Sequence, residues 1–290
     1  VIAIDPQNEN TVWFLSVNQS NNQGLLWRYQ ADATPGTEWE NRTSGLPNTT
    51  GGFAWLNTQF GFNMLIKVHP TNSNIVFVGG TNLHRSIDGF TTPVGNSGWI
   101  GGYNKSGKEE AYTNHHADQH NLVLLPSNPS IAISANDGGL FRTENILAQS
   151  VSYTSLNNNY LTTQPFTLSF DTEGTNTTLL SGFQDNGTWV SGSDAITDPW
   201  AEMFSGDGSY NAVADGAQTL YVSTQYGNLH RLNFDENFNY VSSARITMDQ
   251  NKGFAFLAPF VLDPNDDNIM YMPSAGSMWA NSNLDEIPTG

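Results

Sequence analysis

Four short polar phrases carry the side chains that can do chemistry: His116-Ala117-Asp118-Gln119-His120, Asn136-Asp137-Gly138, Gln184-Asp185-Asn186-Gly187 and Gly206-Asp207-Gly208. His116, Asp118 and His120 fall at i, i+2 and i+4, which puts all three on one side of an extended segment. Imidazole and carboxylate in that arrangement can hold a divalent cation such as Ca or Zn, contact a ligand, or hydrogen-bond neighbouring strands. No cofactor is otherwise required. Asp185 and Asp207 are the candidate catalytic pair, from which an acid and a base or nucleophile for glycoside hydrolysis can be drawn, with Asp118 and Asp137 as further carboxylates. Asp137-Gly138 and Asn186-Gly187 are also strong hairpin turns in their own right. The expected ligand-binding set is His116, Asp118, His120, Asp137, Gln184, Asp185, Asn186 and Asp207.

These phrases punctuate a repeat. Six segments share one order: an apolar strand, a polar turn, a second strand, a Gly/Asn turn, a third strand and often an aromatic outer strand. Aligned on Asp5, His69, Leu125, Asp171, Asp215 and Asp263, they are spaced by 64, 56, 46, 44 and 48 residues, close to the ~40–50 residues of a propeller blade. No helical period is sustained. The expected fold is all-β, a β-propeller of four-stranded antiparallel blades. About six blade units start near residues 2, 65, 121, 167, 211 and 260 of a single domain spanning 1–290. The last unit stops without a fourth strand, so six units are either one ring or an arc of a larger propeller, a fragment of a longer secreted protein. Blade geometry then sorts the turns. The second-to-third turns and the crossings between units share one face, and all four phrases fall on it.

Within the second unit, Arg85-Ser86-Ile87-Asp88-Gly89-Phe90-Thr91 resembles the Asp-box of BNR, or sialidase-like, propellers, with the terminal Trp replaced by Pro93, one position late. The polar phrases are similar to those of large secreted bacterial Asp-box proteins, a group overlapping with xyloglucan-cleaving hydrolases and sortilin-like domains. The resemblance implies a propeller fold and a structural role for Ser86, Asp88 and Gly89. A sialidase also needs an Arg cluster for the substrate carboxylate. Arg28, Arg85, Arg142 and Arg231 instead recur at one third-strand position, which argues for packing between blades.

Composition narrows the partners. Lys plus Arg is 10 against Asp plus Glu 27, a net charge of −17, so a nucleic-acid backbone is repelled. Cys is absent, which removes disulfide, zinc-thiolate and thiol chemistry. No apolar run reaches the ~18 residues of a membrane span. The aromatics Trp55, Phe60, Phe62, Tyr160 and Phe254 are candidates for stacking on sugar rings, although most Trp and Phe must be core. The function expected is a non-catalytic recognition propeller for a polysaccharide or protein, secreted or on the cell surface, with further domains in the parent chain. A glycoside hydrolase acting on a neutral polysaccharide such as xyloglucan is the alternative, and a purely structural module the third.

Overall fold

Apolar residues on every strand of the second unit point both ways. Val76 and Val78 face one neighbour while Phe77 faces the other, the signature of a strand buried on both faces. The computed structural model describes residues 1–47, 56–103, 112–159, 163–171, 177–193, 195–246 and 253–289. The chain divides into two compact units, Val1–Leu161 and Thr162–Gly290. Among the described residues no helix is long and apolar enough to cross a membrane.

Unit 1 holds three antiparallel sheets, each laid down in chain order. They are β1 (Ile2–Asp5), β2 (Asn8–Asn18), β3 (Gln23–Gln30) and β4 (Trp39–Asn41); β5 (Leu65–His69), β6 (Asn72–Gly79), β7 (Leu83–Ser86) and β8 (Trp99–Gly101); and β9 (Gln119–Leu125), β10 (Asn128–Asn136), β11 (Gly139–Thr143) and β12 (Thr154–Ser155). Trp13, Leu26, Val76, Val78 and Phe90 fill the space between the first and second sheets. Phe77, Leu83, Ile100, Leu122 and Phe141 fill that between the second and third.

Unit 2 repeats the plan. Its sheets are β13 (Pro165–Phe170), β14 (Leu179–Phe183), β15 (Gly187–Ser191) and β16 (Ala201–Phe204); β17 (Asn211–Ala214), β18 (Thr219–Thr224), β19 (Asn228–Phe234) and β20 (Tyr240–Arg245); and β21 (Val261–Asp263), β22 (Asp266–Ser274) and β23 (Ser277–Asn281). Leu220 and Val222 of the middle sheet face the β13–β16 sheet, and Tyr221 faces β21–β23.

Turn chemistry fixes where strands reverse. After Asp5 and after Asp263, a Pro sets φ and the Asp carboxylate accepts the N–H two residues on, Gln7 at 2.9 Å and Asn265 at 2.9 Å, an Asx turn. In the turn after β7, Ser86 Oγ donates to Asp88 Oδ1 at 2.9 Å and accepts the Phe90 N–H at 2.8 Å. Asp88 also accepts the Thr91 and Thr92 N–H groups at 3.2 and 3.1 Å. Burial would raise the Asp88 carboxyl, but these bonds from Thr92, Ser86 and Thr91 outweigh it and hold the carboxyl below the usual range. Gly89 takes φ +63° there, a conformation that L side chains rarely adopt.

The third-strand arginines bind sheet to sheet. Arg85 is buried and donates to the carbonyls of Ile146 and Ala148, in the turn after β11. Arg231 does the same for Leu284 and Ile287, after β23. Arg28 instead pairs with Glu40 at 3.3 Å and lies 5.9 Å from the centre of the Trp13 ring, while Arg142 pairs with Glu144 at 3.0 Å.

Candidate functional site

The first cluster lies in unit 1. Asp118, in the crossing between β8 and β9, is only 8% exposed. Its Oδ1 accepts Gln59 Nε2 at 2.9 Å and Asn63 Nδ2. Its backbone N–H donates to Thr81 O at 2.9 Å. Asp118 has φ +61°, so the run from His116 to His120 is not extended, and strand β9 begins only at Gln119. The i, i+2, i+4 argument requires a strand that is not there, and the expected metal triad of His116, Asp118 and His120 is corrected accordingly. His116 lies against Gly138, where a Cβ would come within 2.5 Å of it, and its Nδ1 is 3.2 Å from Ala117 O. His120 Nε2 pairs with Asp137 Oδ1, and the His120 ring meets Phe62 edge-on at 5.5 Å. Among the described residues no three His, Asp or Glu side chains are grouped to hold a metal ion.

Neighbouring His115 has a different job. Burial first, and then the charge of His116, push its pKa down to about 3, so it is neutral at any physiological pH. Its Nδ1 accepts the Gly102 N–H at 3.2 Å, and its ring lies 4.1 Å from Tyr153. It is a packing residue.

Asp118 is raised above the usual carboxylate range, first by burial and then by the charge of Asp137, against the opposing bond from Asn63. A carboxyl raised in the folded state binds its proton more tightly folded than unfolded. Stability is therefore fully present below the unfolded value of ~3.9 and falls as pH rises through the folded value. Asp118→Asn keeps an oxygen for Gln59 and Asn63 and removes the buried charge. It is expected to match or exceed the parent in urea unfolding at pH 7, with an advantage that shrinks toward pH 4. A variant less stable at pH 7 would refute this.

The second cluster lies in unit 2. Asp207, in the crossing between β16 and β17, is 7% exposed. Its Oδ1 accepts the Asp185 N–H at 2.8 Å, and its Oδ2 accepts Gln225 Nε2. Flanking glycines allow close approach: a Cβ on Gly208 would sit 2.0 Å from Gly187 O. The Gly208 N–H donates to Phe183 O at 3.0 Å and the Gly187 N–H to Gly206 O at 2.8 Å. Gly206-Asp207-Gly208 is thus locked onto the β14–β15 turn. In that turn Asp185 and Asn186 are exposed and Gln184 is half-buried. Asp185 has φ +56°, and Asn186 Nδ2 donates to Gln184 O at 2.9 Å. Beside it, Phe183, Trp189 and Trp200 wall a groove of about 410 Å³ whose polar groups are Thr163 and Asn186.

One device occurs in both units. Gln59-Phe60-Gly61 and Gln225-Tyr226-Gly227 each form a single 3₁₀ turn. In each, the Gln amide donates to the buried crossing carboxylate, Asp118 or Asp207. In each, the aromatic has a left-handed backbone, φ +58° at Phe60 and +57° at Tyr226. These two rings are 57% and 55% exposed. The left-handed conformation costs roughly 1–2 kcal/mol for a residue with a Cβ, and such strain concentrates at functional sites. Tyr226 meets the exposed ring of Phe256 edge-on at 5.5 Å. Phe254, the aromatic expected there, packs instead on Gly227, where a Cβ would come within 2.8 Å of its ring. Trp55 and Tyr160 lie outside the described residues. Gln225, Tyr226 and Phe256 were not among the expected site residues; the recurrence of Gln-aromatic-Gly is the signal that marks the first two.

No protein-family model and no curated protein matches the sequence. Among solved structures, a GH74 enzyme of Niastella koreensis is similar over 100% of this chain at 13% identity, with a TM-score of 0.37. This chain covers 48% of that enzyme's length. Sqt1 of Chaetomium thermophilum, solved bound to the N-terminus of the ribosomal protein L10, is similar over 99% of this chain and 72% of its own at 12% identity, with a TM-score of 0.32. Likenesses this remote say nothing of function.

Proposed function

We propose that this chain is a non-catalytic recognition propeller of a secreted or surface protein, and that it binds neutral polysaccharide through its crossing and second-to-third turns. The six chain-ordered antiparallel sheets support the blade assignment over 1–290, and the Ser86, Asp88, Gly89 turn supports the Asp-box assignment. The observation that carries the binding function is the use made of Asp207. Both of its oxygens accept hydrogen bonds from the protein itself. A general acid, base or nucleophile needs an oxygen directed at the substrate. Asp207 is a strut, and what it holds up is an exposed ring. Rings flanked by amides and carboxylates suit uncharged, hydroxyl-rich ligands: apolar sugar faces stack on the rings while hydroxyls bond to Gln184, Asp185 and Asn186.

Affinity electrophoresis on xyloglucan, xylan and mannan, run beside a reducing-end assay, tests the proposal. Expected is retardation without release of reducing ends, weakened about tenfold by Tyr226→Gly, the loss of one interaction worth ~1.4 kcal/mol. Glycine adopts the left-handed turn freely, so this variant folds no less stably than the parent. Turnover abolished by Asp185→Asn would overturn the proposal in favour of a glycosidase, and retardation unchanged in Tyr226→Gly would remove the turns as the site.

A further inference from the structure

We propose that unit 1 carries a second, separate sugar site, in the groove walled by Trp99 and Tyr112 between the β8 edge and the approach to β12. The groove encloses about 460 Å³, within the ~300–1,000 Å³ usual for small-ligand pockets. Among the described residues that line it, none is charged. A site for an anion, a cation or a charged sugar would need an ion pair or a metal. An uncharged one fits a polyol.

The walls are fixed in advance. Trp99 and Tyr112 meet edge to face at 4.7 Å, and Tyr112 meets Tyr153 at 6.0 Å. Tyr112 Oη accepts the Val151 N–H at 2.9 Å, which pins the phenol while leaving its own proton to donate. Tyr153 spends its proton on Ile100 O at 2.8 Å and is wholly buried structure. The rim is made of short polar side chains, Thr113, Asn114, Ser150 and Ser152, all exposed or half-buried around the opening. Asn114 is held at φ +54°, a strained conformation. Aromatic walls with a rim of hydroxyls and one amide are the complement of a single neutral sugar residue, such as the end of an oligosaccharide chain. Pre-ordered walls reduce the entropy lost on binding. Trp99 and Tyr112 stand on the outer strand and the crossing, away from the Gln-aromatic-Gly turns in sequence and in hydrogen bonding, so this site stands or falls independently of them.

Isothermal titration and ligand-observed NMR with cellohexaose, xylohexaose and mannohexaose, and with hexagalacturonic acid as a charged comparison, test the site. The measurements use the full chain in three forms: parent, the Phe60→Gly/Tyr226→Gly double variant, and that variant with Ser152→Trp added. Ser152 is exposed, so the indole fills the groove without disturbing the core, and thermal melting checks that it does not. Expected is binding of at least one neutral hexaose that persists in the double variant, is lost at least tenfold on adding Ser152→Trp, and exceeds that of hexagalacturonic acid at least tenfold. Binding lost already in the double variant overturns the groove site and leaves the turn site standing. Persistent binding indifferent to Ser152→Trp, or equal for the acidic hexasaccharide, overturns the groove as well. No binding by the parent overturns both.

Discussion

Asp207→Ala lowers the unfolding free energy of unit 2 by about 2–4 kcal/mol, because it strands two buried donors at once at ~1–3 kcal/mol each. The Asp185 N–H loses its acceptor at 2.8 Å and the Gln225 amide loses its only described partner. The β14–β15 turn and the Tyr226 turn then come apart, and glycan binding falls with stability. Asp207→Asn behaves differently. Its amide oxygen still accepts the Asp185 N–H, and Gln225 can rotate its amide to offer an oxygen to the new N–H₂ group, so the cost stays within ~1.5 kcal/mol. Urea unfolding of both variants beside the parent decides the matter. An Ala variant within 0.5 kcal/mol of the parent, the ordinary range for a surface change, would show that the carboxylate is not a strut.

Phe77→Ala is the most damaging single change expected in unit 1, at about 3–5 kcal/mol. Phe77 is fully buried in the middle strand pair of the middle sheet and is packed by Leu83, Leu122 and Phe141. Neighbours on the same strand, Val76 and Val78, fill the opposite core, so the sheet cannot shift into the vacancy without opening the other side. Denaturant unfolding should show a lower midpoint with an unchanged slope. A loss under 1 kcal/mol would mean that the site collapses and that the packing between the second and third sheets is loose.

Strand positions were legible because their signals are local. Apolar alternation and the Asp-Pro turns put the unit starts near 2, 65, 121, 167, 211 and 260, and the first strands begin at Ile2, Leu65, Gln119, Pro165, Asn211 and Val261. The outer strand Tyr240–Arg245 carries no Trp to announce it, and was not anticipated. The site was less legible, for two physical reasons. His116, Asp118 and His120 share a face only if the backbone between them is extended, and one left-handed residue at Asp118 breaks a pattern that side-chain spacing cannot reveal. The ties from Gln59 to Asp118 and from Gln225 to Asp207 join positions 59 and 18 residues apart. A glutamine amide gives no periodicity or composition signal from which such a partner can be read.

The third-strand arginines bear on how the chain is made. Arg85 is buried in the second sheet, yet the carbonyls that satisfy it belong to Ile146 and Ala148, 61 and 63 residues later. Arg231 likewise waits for Leu284 and Ile287, 53 and 56 residues on. During synthesis at ~5–20 residues per second, each such sheet emerges with a guanidinium that cannot be desolvated until its successor leaves the ribosome. The nascent chain therefore stays open at its growing end for several seconds at a time, and each finished sheet is sealed by the next.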